Sequence, residues 1–392
     1  MASELNELGD MKKEYDLIII GTGSVGSAAG YYSAKAGLKV LMVDEFMPPH
    51  QHGSHHGETR IMRQAYGEGD EYVPMLLQAQ KLWLGLKDYV KHTSGIPIFE
   101  QCGVLNAGPS NALFITQAIK SANKYALEVE VKDAKTCKKI WPELQLPENY
   151  SAVYEPNAGV LFCENIIESY LELSKQVEAE HAFNCKVFAV ETSESGVQVK
   201  TSQGDFFASK AIVTAGTWVR EIFPNLPITP IRRVFAWHQA DGRFSYLNNF
   251  PAFTIEDEHG EAYYGFPAVD NALKIGKHIE WEIMHSREDR VPFGSKISDG
   301  SALLKFLKRF LPGVGGCLMG KSCSYDMTSD GHFIIDTLDE QKKIMLISGL
   351  SGHGFKFASV LGEIGSSFAR NEPIPYDLSF FSLKRFTEQQ KG

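Results

Sequence analysis

Three patterns of apolar and polar positions recur along the chain, and each predicts a different element. Tyr15 to Ile20 and Lys39 to Val43 are short apolar runs, the first bounded by glycine. Such runs fit strands buried on both faces of a parallel sheet. Between them, Ser24 to Ala36 is Ala-rich and free of proline, as a helix requires. Residues 71–91 carry apolar positions at helical spacing (Val73, Leu76, Leu77, Leu82, Trp83 and Leu86) and predict an amphipathic helix. Further helices are expected over 112–125 and 166–176, and strands over 186–192, 196–201, 211–214 and 344–348. From Phe223 to Gly315, strands alternate with Pro-bounded turns. There Ala272–His278 repeats with period two, which puts Lys274, Gly276 and His278 on one strand face and Leu273, Ile275 and Lys277 on the other.

The first strand, helix and second strand are joined by Gly21-Thr22-Gly23-Ser24-Val25-Gly26 and end at Asp44. This is a β-α-β unit of dinucleotide-binding type. Gly21 permits the tight turn, Gly23 lets backbone approach a pyrophosphate, and Gly26 lets helix and strand pack closely. The helix N-terminus offers unpaired N–H groups to phosphate. Asp44 stands near the roughly 20-residue spacing of a ribose-binding acid. NAD and FAD share this ADP half. A second strand-to-glycine joint, Ile344–Ser348 running into Gly349–Lys356 and a helix through Leu361, favours FAD held by both ends of the chain. The expected fold is α/β: a Rossmann-like, discontinuous FAD-binding domain (1–95, 151–222 and 316–392) with a second, sheet-rich α+β substrate domain (96–150 and 223–315).

Bulk properties narrow this picture. A chain of 392 residues is long for one core. Its net charge of −9 argues against nucleic-acid or anionic-membrane partners. No apolar run approaches the ~20 residues that span a bilayer, and the polar start lacks a signal-peptide core. Six cysteines without a C-x-x-C pair make reduced thiols in a cytoplasmic protein the default; a monomer is expected. The Pro- and Gly-rich stretch 48–60 reads as a loop. His50, His52, His55 and His56 lie in it without the partners of a metal motif, so no metal is expected. Arg60 and Arg63, three apart, would share a face on a helix and suit phosphate or carboxylate.

Pro48-Pro49-His50, Gly53–Arg60, Ala65-Tyr66-Gly67-Glu68-Gly69, Phe333–Asp336 and Gly352–Phe357 together span nearly the whole chain. In these blocks the sequence resembles the monomeric sarcosine oxidase and N-methyltryptophan oxidase family of amine-oxidising flavoproteins. Gln51-His52, Phe235-Ala236-Trp237 and Gln239–Arg243 lean towards its N-methyltryptophan branch, and Gly159–Phe162 towards the other. The resemblance implies covalent FAD, with Cys323 as the cysteine on the flavin 8α carbon. A thiolate there needs nearby cations, and His56 and Arg60 match positions beside the ring. Lys274 matches the oxygen-activating lysine, a fixed cation for developing negative charge. His278 and Tyr264 match substrate-pocket residues, the Tyr264–Lys274 spacing being one residue shorter than in sarcosine oxidase. Arg63 and Lys356 match the carboxylate-binding pair, and His353 a residue over the flavin. Gln64 stands where the family pattern has histidine.

The implied reaction oxidises a secondary amine, an N-methyl amino acid, with O2 and water to amino acid, formaldehyde and H2O2. Sarcosine, pipecolate or another secondary amine is the alternative within the family. An NAD-dependent dehydrogenase and a non-enzymatic nucleotide-binding module are the alternatives outside it.

Overall fold

A computed structural model describes residues 14–278 and 280–388. The first apolar run forms a strand, Glu14–Ile20, at the centre of an eight-stranded sheet. It pairs in parallel with Val40–Val43 on one side and Gly204–Val213 on the other. Glu180–Ala182 extends the sheet beyond Val40–Val43, and Ile344–Ser348 runs parallel to the end of Gly204–Val213. Period two divides the central strand's side chains between two cores. Leu17 and Ile19 pack with the helices Ser24–Lys35, Val73–Thr93, Cys163–Gln176 and Ala358–Ala369. Ile18 and Ile20 pack with Val197, Val199, Val219 and Ile228 on the other side. Burial on both faces is the physical reason the run reads as continuously apolar.

Because these strands are parallel, their carboxyl ends reach one edge of the sheet. Gly21, Asp44, Thr214 and Gly349 each follow directly after a strand there. That edge is where open α/β sheets bind ligands. The helix beginning at Ser24 and the helix Ala358–Ala369 approach closely behind it: a Cβ on Gly362 would lie 2.6 Å from Ala28 Cβ and 2.8 Å from the Ala29 backbone nitrogen.

A second eight-stranded sheet contains, in order, Cys317–Met327, Thr229–Gln239, Ala272–Lys277, Ala262–Gly265, Ala252–Glu256, Val104–Pro109, Tyr150–Glu155 and Glu130–Asp133. One face is covered by the helix Ser298–Phe310, with Phe306 stacked on Tyr263 and Phe253. Arg232, 1% exposed, pins that helix to the sheet through two bonds to Asp299, at 2.8 and 2.9 Å. The other face looks towards the nucleotide-binding sheet.

Three features differ from the sequence-based expectation. Strands Tyr150–Glu155 and Cys317–Met327, assigned by the sequence boundaries largely or wholly to the FAD-binding segments, pair into the second sheet; non-local pairing with Val104–Pro109 and Thr229–Gln239 decides this. Arg60 sits on a strand, Thr59–Met62, in a small sheet with Gly159–Phe162 and Phe99–Glu100. It therefore shares no helix face with Arg63. The helix after Gly354 opens with a 3-10 turn, Phe355–Phe357, and continues past Leu361 to Ala369.

The close helix pair makes Gly362 a test of the packing. Gly362→Val forces atoms against Ala28 and the Ala29 backbone, at a cost of about 1–3 kcal/mol for overpacking. The thermal unfolding midpoint should drop, and a midpoint equal to that of the unsubstituted chain would contradict the packing described.

Candidate active site

A cavity of about 420 Å³ runs from the carboxyl edge of the first sheet to the open face of the second. That volume is within the range of ligand-binding pockets. At its first end the glycine loop behaves as its spacing implies. A Cβ on Gly26 would lie 1.9 Å from the Gly21 carbonyl oxygen, so only glycine lets the helix sit this close. A Cβ on Gly23 would meet only the His55 ring, at 3.2 Å, so this residue faces open cavity. The helix starts without a capping side chain and without an acidic residue in its first turn, which leaves its terminal N–H groups to an anion.

Asp44 stands beside the loop and organises it. Its Oδ2 accepts from the Thr22 N–H at 2.7 Å and the Thr22 hydroxyl at 3.2 Å, and its Oδ1 from Phe46 N–H at 3.0 Å and His50 Nε2 at 3.1 Å. Burial pushes its carboxyl up, but His50 and the N–H donors outweigh this and hold it below the usual range. The histidine-rich loop thus builds the nucleotide end: His50 on Asp44, His52 stacked on Phe46 at 3.8 Å, and His55 accepting from the His50 N–H at 3.3 Å. Among the described residues no group of three His, Cys, Asp or Glu is arranged for a metal ion.

The open face of the second sheet forms the other wall, and its cross-strand register orders the site. Thr254, Tyr264, Gly276 and Phe235 stand in one row. Lys274 and Trp237 stand one row along, beside Phe266, whose N–H donates to the Lys274 carbonyl. Glu256, Ala262 and His278 stand on the opposite side, His278 N–H donating to the Ala262 carbonyl at 2.7 Å. Cys323 lies on the same face, on the strand paired to Arg233, among Phe235, Trp237 and Tyr325. Tyr264, Tyr325 and His278 border the cavity. Burial drives the Tyr264 phenol well above its ordinary value and His278 down to about 4, so both are neutral.

Lys274, His56 and Cys323 are buried on this side and do not border the cavity. The Lys274 ammonium donates to the Gly57 carbonyl, to Thr59 O at 3.0 Å and to Thr59 Oγ1 at 3.1 Å, with Phe266, Phe235 and Trp237 rings around it. Burial, then the Arg60 charge, lowers its pKa to about 7. Arg60 borders the cavity while donating to the carbonyls of Ser54, His56 and Thr59 at 2.7, 2.9 and 2.8 Å. Burial and then Arg60 push His56 down to about 2. The expectation that His56 supplies positive charge to Cys323 is therefore corrected: its ring is neutral. Burial also raises the Cys323 thiol, opposed by Arg60, Arg233, Lys274 and Arg290 in that order.

Arg63 and Lys356 meet in the cavity as their motif implies, and they bring a partner that the sequence reading gave no role. Glu68 accepts two bonds from Arg63 Nη2, at 2.6 and 2.9 Å. Burial would raise the Glu68 carboxyl, but Arg63, His353 and Lys356 prevail and hold it at about 2. Lys356 donates to the His353 carbonyl at 2.8 Å, and burial, then Arg63, brings it to about 7. His353 gives its Nε2 proton to the Gly331 carbonyl at 3.0 Å, so its Nδ1 accepts from the Tyr66 hydroxyl at 2.6 Å. The ring is locked and neutral, burial holding it at about 3. Tyr66, the base of this cluster, also lies under the Arg63 guanidinium at 4.7 Å. Glu68 and Tyr66 carry no local signal beyond a polar residue in a glycine-flanked turn. Only the fold brings His353 and Lys356 to them.

These features suit FAD. The glycine cradle and uncapped helix match a pyrophosphate, and both ring nitrogens of His56 are buried without a hydrogen-bond partner, as they would be where a further polar group binds. The family model of FAD dependent oxidoreductases matches residues 16–366. N-methyl-L-tryptophan oxidase from Yersinia pestis (strain Pestoides F) is 52% identical over 373 residues, covering 95% of this chain and 100% of that one. Among solved structures, NikD, an unusual amino acid oxidase essential for nikkomycin biosynthesis, superposes with a TM-score of 0.81 at 18% identity over 94% of this chain and 97% of that one. Glycine oxidase from Geobacillus kaustophilus gives 0.80 at 18%, over 95% and 99%. At such identities the two structures speak for the fold alone. The chain belongs to the family of FAD-dependent oxidoreductases that includes the N-methyl-L-tryptophan oxidases.

Proposed function

We propose that this protein is an oxidase of N-methyl amino acids, with N-methyl-L-tryptophan as its leading substrate: secondary amine, O2 and water give amino acid, formaldehyde and H2O2. The observation that carries this reading is the single cavity that joins the nucleotide cradle to the Arg63–Lys356 cluster. The named relatives supply the substrate. FAD, when bound, accepts a hydride equivalent from the amine carbon and passes the electrons to dioxygen. Gly21, Gly23, Gly26 and Asp44 hold its ADP half; His56, Arg60 and Cys323 belong to its ring.

Arg63 and Lys356 bind the substrate carboxylate, Arg63 sharing its donors between that group and Glu68. The positive charges of Arg63, Lys274 and Lys356 lower the pKa of the bound amine, since like charges disfavour its protonated form. His278, neutral at about 4, offers the amine a hydrogen-bond acceptor, and Tyr264 beside it packs against the substrate. His353 positions rather than titrates, because both its nitrogens already have partners. Lys274 stabilises negative charge as dioxygen is reduced. Cys323 would hold the flavin through its sulfur on the 8α carbon, the two electrons and two protons given up in forming that thioether going to dioxygen as H2O2. Residence in the cytoplasm as a monomer completes the reading.

Purified enzyme given N-methyl-L-tryptophan should produce H2O2 and formaldehyde in equal amounts. Peroxide from sarcosine or pipecolate, with none from N-methyl-L-tryptophan, would overturn the substrate assignment. Acid precipitation should leave a yellow pellet, and Cys323→Ser a colourless one; flavin released from the unsubstituted protein would remove Cys323 from the site. Lys274→Met should slow reoxidation by oxygen ~100-fold or more, while anaerobic flavin reduction by substrate persists. The flavin content of this variant reports whether the 57–59 loop still folds. Oxygen reactivity equal to that of the unsubstituted enzyme would sink the role of Lys274.

A further inference from the structure

Glu256 is a carboxylate on the open face of the second sheet, at the cavity, that the reaction above does not use. It ends the strand Ala252–Glu256 and borders the cavity with Thr254, Ala262 and Phe266. Among the described residues its carboxylate has no hydrogen bond and no ion pair. Burial, then the neighbouring Asp257, pushes its carboxyl above the ordinary value, so no cation offsets its charge. A half-buried acceptor without a donor is a vacancy that a ligand donor can fill.

Register tells which part of a substrate reaches it. Glu256 opposes Ala262, and Ala262 accepts from the His278 N–H, so these residues share one row across three strands. At the ~4.8 Å strand spacing, Glu256 is two steps, about 10 Å, from His278. Cys323 lies two strands to the other side of His278 in the sheet order. With the flavin ring held from the Cys323 side and the amine near His278, a side chain pointing away from the flavin passes over Ala262. The small Ala262 leaves room for a flat ring, and Phe114 borders the same cavity. Phe114 also stacks on Arg63 at 5.2 Å, which links this region to the carboxylate site.

We propose that Glu256 is a specificity residue: its carboxylate accepts the hydrogen bond of an indole N–H in the substrate side chain. The assignment rests on the oxidase reading above and says what selects indole over other aromatic groups. Indole offers a donor and no acceptor, which matches an unpartnered carboxylate. A phenyl ring leaves Glu256 buried and unpaired, so the site discriminates against it as well as favouring indole.

The test uses the flavin-loaded enzyme and two amine-free carboxylates that differ only at the ring nitrogen, indole-3-acetate and 1-methylindole-3-acetate. Titration calorimetry should show indole-3-acetate binding about 10- to 100-fold more tightly, the range for a hydrogen bond to a charged group. Glu256→Leu should abolish the preference, and Glu256→Gln, which keeps a carbonyl acceptor, should retain part of it. In parallel, the ratio of kcat/KM for N-methyl-L-tryptophan to that for N-methyl-L-phenylalanine should fall about tenfold in Glu256→Leu. Equal binding of the two acetates by the unsubstituted enzyme, or a preference that survives Glu256→Leu, overturns the assignment. An intact, Glu256-dependent preference with no peroxide from N-methyl-L-tryptophan would instead support the indole site and overturn the oxidase reading.

Discussion

The backbone of residues 57–59 is held from both sides by charge, and the site depends on that clamp. Its N–H groups face the Glu164 carboxylate, Gly57 at 2.8 Å and Glu58 at 3.0 Å. Its carbonyls face cations: Gly57 and Thr59 accept from Lys274, and Thr59 also from Arg60. Glu58 carries φ of 73° and Gly57 of 98°, left-handed values that aim successive peptide groups in opposing directions. A buried cation is costly unless it is hydrogen-bonded. Here the compensation comes from peptide dipoles rather than a full negative charge, so the cations are satisfied but not neutralised. The Thr59–Met62 strand, the helix Cys163–Gln176 and the second sheet are joined at this one loop.

That distinction sets the electrostatics of the cavity. Away from the nucleotide end, Arg60, Lys274 and Lys356 lean on carbonyls, whereas Arg63 has the Glu68 carboxylate against it. Histidines are numerous, yet burial holds His55, His56, His278 and His353 neutral, at about 3, 2, 4 and 3. The fixed part of the positive field therefore comes from the arginines, with Lys274 and Lys356 titrating at about 7, and the imidazoles serve as neutral donors and acceptors. Such a field favours an anionic ligand such as a carboxylate, and at Cys323 the same cations oppose the burial that raises the thiol.

Local pattern and long-range pairing explain which features were legible in the sequence. The Glu14–Val43 unit was readable because its glycines, apolar runs and Asp44 are all set by neighbours in sequence. Alternation placed Lys274 and His278 on one strand face, but whether that face is solvated depends on what covers it. The cover is loop 54–59 and Phe266, and nothing in the alternation announces them. Arg60 and Arg63 share a face only on a helix, and the four-residue strand that Arg60 occupies instead is paired with Gly159–Phe162, about 100 residues away. The strand carrying Cys323 was grouped with the wrong sheet for the same reason. Resemblance to a family supplied Cys323, Arg63 and Lys356 as a set. Glu68 and Glu256 acquire meaning only from the residues that folding brings, or fails to bring, to their carboxylates.

The second sheet divides labour along its strand order. Cys323 is on an edge strand, Lys274 and His278 on the third strand, Tyr264 on the fourth and Glu256 on the fifth. Strands in a sheet keep a fixed spacing, so these residues hold fixed separations that loops do not guarantee. On the proposed reading, side chains above the middle strands serve the reacting atoms, and those on either side serve the cofactor anchor and the substrate's far end. The covered face, where Phe306 stacks on Tyr263 and Phe253 and Arg232 binds Asp299, keeps the strands from sliding relative to one another. A one-residue slip in any of these strands would turn its site residue into the helix-covered core. Register is thus the variable that couples stability of the covered face to chemistry on the open one.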